Sequence, residues 1–105
     1  MKVLFDQGTP VPLRRSLPEH SVDTAFELGW ATLRNGELLD RAEAEGYDLL
    51  ITTDQQLRHQ QNLSGRRLAI LELRSTCWPR IQAHVATMRA TLSRMQPGEY
   101  QEIAI

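Results

Sequence analysis

With 105 residues, 41% of them apolar and 24% charged, the chain has the make-up of one globular domain, able to bury roughly 60–70% of its unfolded surface. A net charge of −1 excludes a protein that holds nucleic acid through bulk positive charge, and the single Cys77 excludes an internal disulfide or a multi-cysteine zinc site. No apolar run approaches the roughly 18 residues of a membrane helix, and residues 1–20 lack a signal-peptide core, so a cytoplasmic protein with no membrane association is expected.

Residues 2–6, Lys-Val-Leu-Phe-Asp, read as a buried strand that delivers Asp6 at its carboxyl end. A short helix is expected next, from Pro10 or Pro12 to Leu17, with Thr9 as cap and Pro18 as stop. Residues 20–25 alternate, Val22 and Thr24 against Ser21 and Asp23, which predicts a second strand with His20 at its entrance. Phe26, Leu28 and Trp30, interrupted by Gly29, read as a turn under the core.

Asn35 is expected to cap a helix over 36–45 that buries Leu38, Leu39 and Ala42, carries a Glu37–Arg41 pair, and ends at Gly46. Residues 47–53 predict a strand buried on both faces, running into Thr52-Thr53-Asp54. The polar stretch 55–63 reads as a short helix or ordered loop, and 67–73 as another apolar strand. Trp78, Ile81, Val85, Met88, Leu92 and Met95 recur at three-four spacing, which predicts one long helix. That stripe reads first as a core face, with a homodimer seam as the lesser alternative. Pro97-Gly98 ends it, and 99–105 read as a final strand. Strands alternating with helices predict a single three-layer α/β domain over 1–105, with a mainly parallel sheet of about five strands.

In such sheets chemistry gathers beyond the carboxyl ends of the strands. If residues 2–6 and 47–53 are neighbours, a strand spacing of about 4.8 Å brings Asp6 and Asp54 side by side. Paired carboxylates repel unless a cation joins them, and oxygen-only ligation suits Mg²⁺ or Mn²⁺. Glu37, in the first turn of its helix, is the candidate third acid, although the helix dipole alone favours glutamate there. Arg58 is the candidate phosphate contact, with Gln55 and its amide beside Asp54. Cys77 reads as a small buried or boundary residue, and Trp30 and Trp78 as core anchors.

Residues 1–13, the run 20–29 ending Glu27-Leu28-Gly29, the stretch Asn35-Gly36-Glu37-Leu38-Leu39, and 49–57 with Thr52-Thr53-Asp54 resemble the short bacterial PIN-like proteins. Gln60-Gln61-Asn62-Leu63, Trp78-Pro79 and Pro97-Gly98-Glu99-Tyr100 resemble one branch of that group. The group is a domain family of unknown function, often described as toxin components of toxin–antitoxin pairs. The resemblance implies a PIN-like fold whose strand ends gather acids around Mg²⁺ or Mn²⁺ for RNA cleavage. It implies that Asp6, Glu37 and Asp54 are both metal ligands and catalytic residues, and that RNA and an antitoxin protein are partners. Gln7-Gly8 and Gln56 stand where many relatives carry Glu-Asn and a further aspartate. Gln7 then reads as a substrate contact beside Asp6. The shortened acid set makes an inactive module that binds RNA or a partner protein the alternative to a ribonuclease. A receiver-like or phosphatase-like protein fits less well, because the nucleophile and lysine pattern is missing.

Overall fold

Five short runs become strands in the computed structural model, which describes residues 1–105: β1 (Lys2–Phe5), β2 (Ser21–Thr24), β3 (Leu49–Thr52), β4 (Ala69–Leu73) and β5 (Tyr100–Ile103). They form one sheet in the order β2-β1-β3-β4-β5, every neighbouring pair parallel. Parallel pairs need crossovers, and the helical segments supply them: a 3-10 turn over Val11–Ser16, then α1 (Asn35–Ala44), α2 (Leu57–Gln60), α3 (Trp78–Gln82) and α4 (Val85–Leu92). The result is the expected three-layer α/β architecture.

Side chains of each strand alternate between the two faces, and both faces are covered. Val3, Phe5, Leu49, Ile51, Leu71 and Leu73 pack against Leu13 and Leu17 of the 3-10 segment and against Ile81, Met88 and Leu92 of α3 and α4. Leu4, Leu50 and Ile70 pack against Leu38, Leu39 and Ala42 of α1, with Trp30, Tyr47 and Leu57. Each such apolar side chain taken out of water contributes about 1.5–3 kcal/mol, so β3 and β4, buried at every position, are the spine of the sheet. In β5, Tyr100 joins the α1 face and Ile103 the opposite one, which explains why their apolar character does not share a period-two parity.

Several local expectations change. The stripe from Trp78 to Met95 is two helices, interrupted at Ala83 and His84. The His84 backbone N–H turns to Ile81 O at 2.9 Å, while its Nδ1 lies 3.0 Å from Arg80 O, the carbonyl that N–H would otherwise reach. Ile81, Val85, Met88 and Leu92 still share one face. Ile81, Met88 and Leu92 are buried against the protein's own sheet with Val85 half-buried beside them, which makes the stripe a core face and not a dimer seam. Arg34 occupies the cap position of α1, and Asn35 is already helical. Arg41 pairs with Glu45 at 3.9 Å instead of Glu37, and its guanidinium lies 5.4 Å from the Trp30 ring. Strand β3 begins two residues later than expected, because Tyr47 turns into the core and donates its hydroxyl to Asp23 Oδ2 at 2.7 Å. Cys77 is exposed, not buried, and so is Phe26. No helix is long and apolar enough to cross a membrane.

The entry to β5 depends on Gly98. Its φ is +77°, its N–H donates to Arg67 O at 2.8 Å, and a Cβ there would meet Arg66 O at 2.5 Å. Gly29 has a similar φ of +76° but open space around it. Alanine at Gly29 is expected to cost the about 1–2 kcal/mol of a left-handed residue, and alanine at Gly98 more than that. Urea unfolding of both variants checks the order, which must hold with unchanged slopes.

Candidate active site at the carboxyl ends of the strands

The register sets the site. Leu4, Leu50, Ile70 and Tyr100 stand in one row across β1, β3, β4 and β5. Two residues further along the same face, Thr52 pairs with Glu72 and Glu72 with Glu102. Asp6 takes the β1 place in that row, its N–H donating to Ile51 O at 3.2 Å. A row of apolar side chains is thus followed by Asp6, Thr52, Glu72 and Glu102 on the α1 face, at the carboxyl edge.

One hydroxyl ties the two aspartates together. Thr52 Oγ1 donates to Asp6 Oδ2 and accepts the Asp54 backbone N–H at 3.0 Å. The other Asp6 oxygen accepts from Thr9 Oγ1 at 2.8 Å, and Thr9 Oγ1 also lies 2.9 Å from Ile51 O. Asp54 Oδ2 accepts the Asn35 amide at 2.8 Å, and Oδ1 accepts the Gln56 N–H at 2.9 Å. Asn35 therefore binds the start of α1 to the acid after β3, a role its expected place as a cap concealed. Gly8 passes close to the residue that follows β3, where a Cβ would collide with Thr53 Oγ1. Burial pushes the Asp6 carboxyl above its ordinary value, with the Asp54 charge adding to it, while the bonds from Thr52, Thr9 and the Gly8 backbone act the other way.

The row divides by charge. Glu72 is 0% exposed, accepts the Tyr100 hydroxyl, and lies 3.0 Å from Arg74 Nη1, which also reaches Glu102 at 2.8 Å. Arg58 stands 3.8 Å from Glu102 and 4.5 Å from the centre of the Tyr100 ring. Arg74 Nη2 donates to Gln55 Oε1 at 3.2 Å. Two glutamates thus meet two arginines on the β4–β5 side. Burial and the Glu72 carboxylate raise the Tyr100 phenol above its usual range, so it stays a donor. On the β1–β3 side, neither Asp6 nor Asp54 has a cation among the protein's ion pairs.

Of the residues singled out from sequence, Asp6 and Asp54 come together. Glu37 is exposed on the first turn of α1, with neither ion pair nor side-chain hydrogen bond. Gln7 lines a cleft with Asp6, and its amide is free. Arg58 and Gln55 are engaged with the Glu72–Arg74–Glu102 network. Glu72, and the bond of Asn35 to Asp54, escaped the sequence reading. The one signal for Glu72 was a lone acid inside an otherwise apolar strand. Elsewhere Arg14 is committed to Glu27, and Arg66 to Asp40 and Glu43.

A hard cation such as Mg²⁺ is held by one or two carboxylates together with water and substrate phosphate. Asp6 and Asp54, oxygen donors without a protein counter-charge, fit that demand. No three acidic, histidine or cysteine side chains stand together, so a full protein cage is not built. No protein family, curated protein or solved structure matches the chain.

The folded protein holds the Asp6 proton more tightly than the unfolded chain does. Stability unaffected by Asp6 in acid, below its ordinary value of 3.8, is therefore lost as pH rises through the higher folded value. Asn in place of Asp6 removes that loss: its amide can donate to Thr9 Oγ1, whose proton then serves Ile51 O. Without divalent metal, Asp6→Asn is expected to be more stable than the parent near neutral pH and to converge with it in acid. Urea midpoints across pH in EDTA measure this.

Proposed function

We propose that the protein is a divalent-metal-dependent ribonuclease of the PIN-like kind, with Asp6 and Asp54 holding Mg²⁺ or Mn²⁺. The observation that carries the reading is the uncompensated pair itself: two carboxylates joined through the Thr52 hydroxyl at adjacent strand ends, with no arginine or lysine beside them. A bound ion of this type supplies an activated water and charge neutralisation at a scissile phosphate. The protein's part is to orient. Thr9 and Thr52 fix the Asp6 carboxylate, and Asn35 and the Gln56 N–H fix Asp54. Glu37, exposed two residues after Asn35 and without a partner, is left out of the pair. A toxin role and an antitoxin partner belong to the same proposal and rest on the likeness of the motifs.

A second reading is favoured by the fact that three acids do not converge. On it, the chain is a binding module for RNA or a partner protein that has lost turnover. The two readings separate in one experiment. Under the first, Mn²⁺ titrated by calorimetry binds the parent weakly, and Asp54→Asn abolishes both binding and RNA cleavage while thermal unfolding remains cooperative. Asn35→Ala, which removes only the amide that orients Asp54, weakens Mn²⁺ binding by about 10- to 100-fold. Equal metal binding by the parent and Asp54→Asn, or none by either, eliminates the ribonuclease. RNA affinity that survives Asp54→Asn, with no cleavage by the parent, establishes the module.

A further inference from the structure

Three large apolar side chains are exposed, Met1, Val11 and Phe26, and two of them line the same cleft as Asp6. Phe26 is 75% exposed and Val11 56%. The cleft is about 270 Å³ and is completed by Gln7, Thr9, Thr24 and Glu27.

Phe26 is exposed on a braced turn. The Thr24 N–H donates to Glu27 Oε1 at 3.0 Å, and the Glu27 N–H returns to Thr24 Oγ1 at 3.1 Å. This reciprocal threonine–glutamate arrangement is the capping box that fixes helix starts, here closing a single turn. Arg14 clamps the same glutamate from the 3-10 segment. Beneath the turn, Ala25 and Trp30 are buried and joined by the Trp30 N–H to Ala25 O bond at 2.8 Å. The backbone is held from both sides while the ring is left in water, a preorganised aromatic surface that loses little freedom on meeting a ligand.

We propose that this cleft is a nucleobase subsite, in which Phe26 stacks an unpaired base and the free Gln7 amide contacts its edge beside Asp6. The proposal rests on the ribonuclease reading for its choice of RNA and deepens it by naming a base-binding residue. The chemistry favours a base over other ligands. Asp6 has no protein cation and Glu27 has its own, so without metal the cleft gives phosphate no positive partner, while it accepts a neutral ring that donates hydrogen bonds. Its volume is near the lower limit of about 300 Å³ for small-molecule pockets, room for one ring system. A protein partner needs roughly 800 Å² on each side, far more than two apolar side chains offer. A base within a duplex cannot reach an aromatic face, so the ligand is single-stranded.

The test is equilibrium filter binding of a short single-stranded RNA in EDTA, where no cleavage occurs. Phe26→Ala is expected to weaken binding by about 5- to 100-fold, and Phe26→Tyr to stay within about threefold of the parent. Because the lost contact is stacking, the slope of log affinity against log salt is unchanged by Phe26→Ala, whereas loss of a phosphate contact would flatten it. A blunt duplex of the same sequence responds to neither substitution. Unchanged single-strand affinity in Phe26→Ala overturns the subsite and leaves Val11 and Phe26 to a protein partner. A flattened salt slope, or a parent that binds no single strand, also overturns it. Cleavage by the parent in Mn²⁺ is measured apart, so failure of the ribonuclease reading registers there and not in the EDTA binding.

Discussion

The site depends on the register between β1 and β3. Val3, Leu4 and Phe5 lie opposite Leu49, Leu50 and Ile51, and all six are buried on one face or the other. A slip of one residue would turn every side chain of β1 to the opposite layer. Asp6 would then enter the core packed by the 3-10 segment, α3 and α4, away from Thr52. The cost of misplacing apolar side chains on both faces is what holds a carboxylate against a threonine hydroxyl. The packing of the sheet and the geometry of the acids are one constraint, seen from its two ends.

Beyond that register, the carboxyl edge is governed by where positive charge is provided. Arg74 and Arg58 compensate Glu72 and Glu102, and Tyr100 adds a neutral donor to the fully buried carboxylate. Asp6 and Asp54 receive hydroxyl, amide and backbone donors only. Neutral donors orient a carboxylate without cancelling its charge, and burial makes Asp6 resist ionisation in spite of them. The asymmetry within a single row of side chains, more than the number of acids, distinguishes the two halves of the edge.

The strand pattern was legible because it is local. Apolar runs bounded by Gly46, by Pro97-Gly98 and by polar segments identify β1, β3, β4 and β5 without reference to anything distant, and they put Asp6 and Asp54 at strand ends. What stayed hidden is held by partners far along the chain. Glu72 accepts the hydroxyl of Tyr100, 28 residues away, and Asn35 leaves its capping role for an acid 19 residues on. Arg58 looked free because Glu102 and Tyr100 lie more than forty positions later. The break at His84 came from a side chain taking over a carbonyl, which periodicity cannot register because the apolar face runs through it unchanged. Phe26 had the apolar character of a core residue, and only the braced turn reveals that its ring points outward.

The two tryptophans fall on opposite sides of the sheet. Trp30 is packed edge-on to Tyr47 with the α1 layer, at a ring separation of 6.0 Å, while Trp78 leans on the core beneath α3 and α4. Each layer thus carries one indole of its own. Light emitted by Trp30 reports the α1 side and light emitted by Trp78 the other, so removing one indole at a time leaves a separate optical witness of melting in each layer. Whether the layers come apart together or in sequence is written in the coincidence of those two signals.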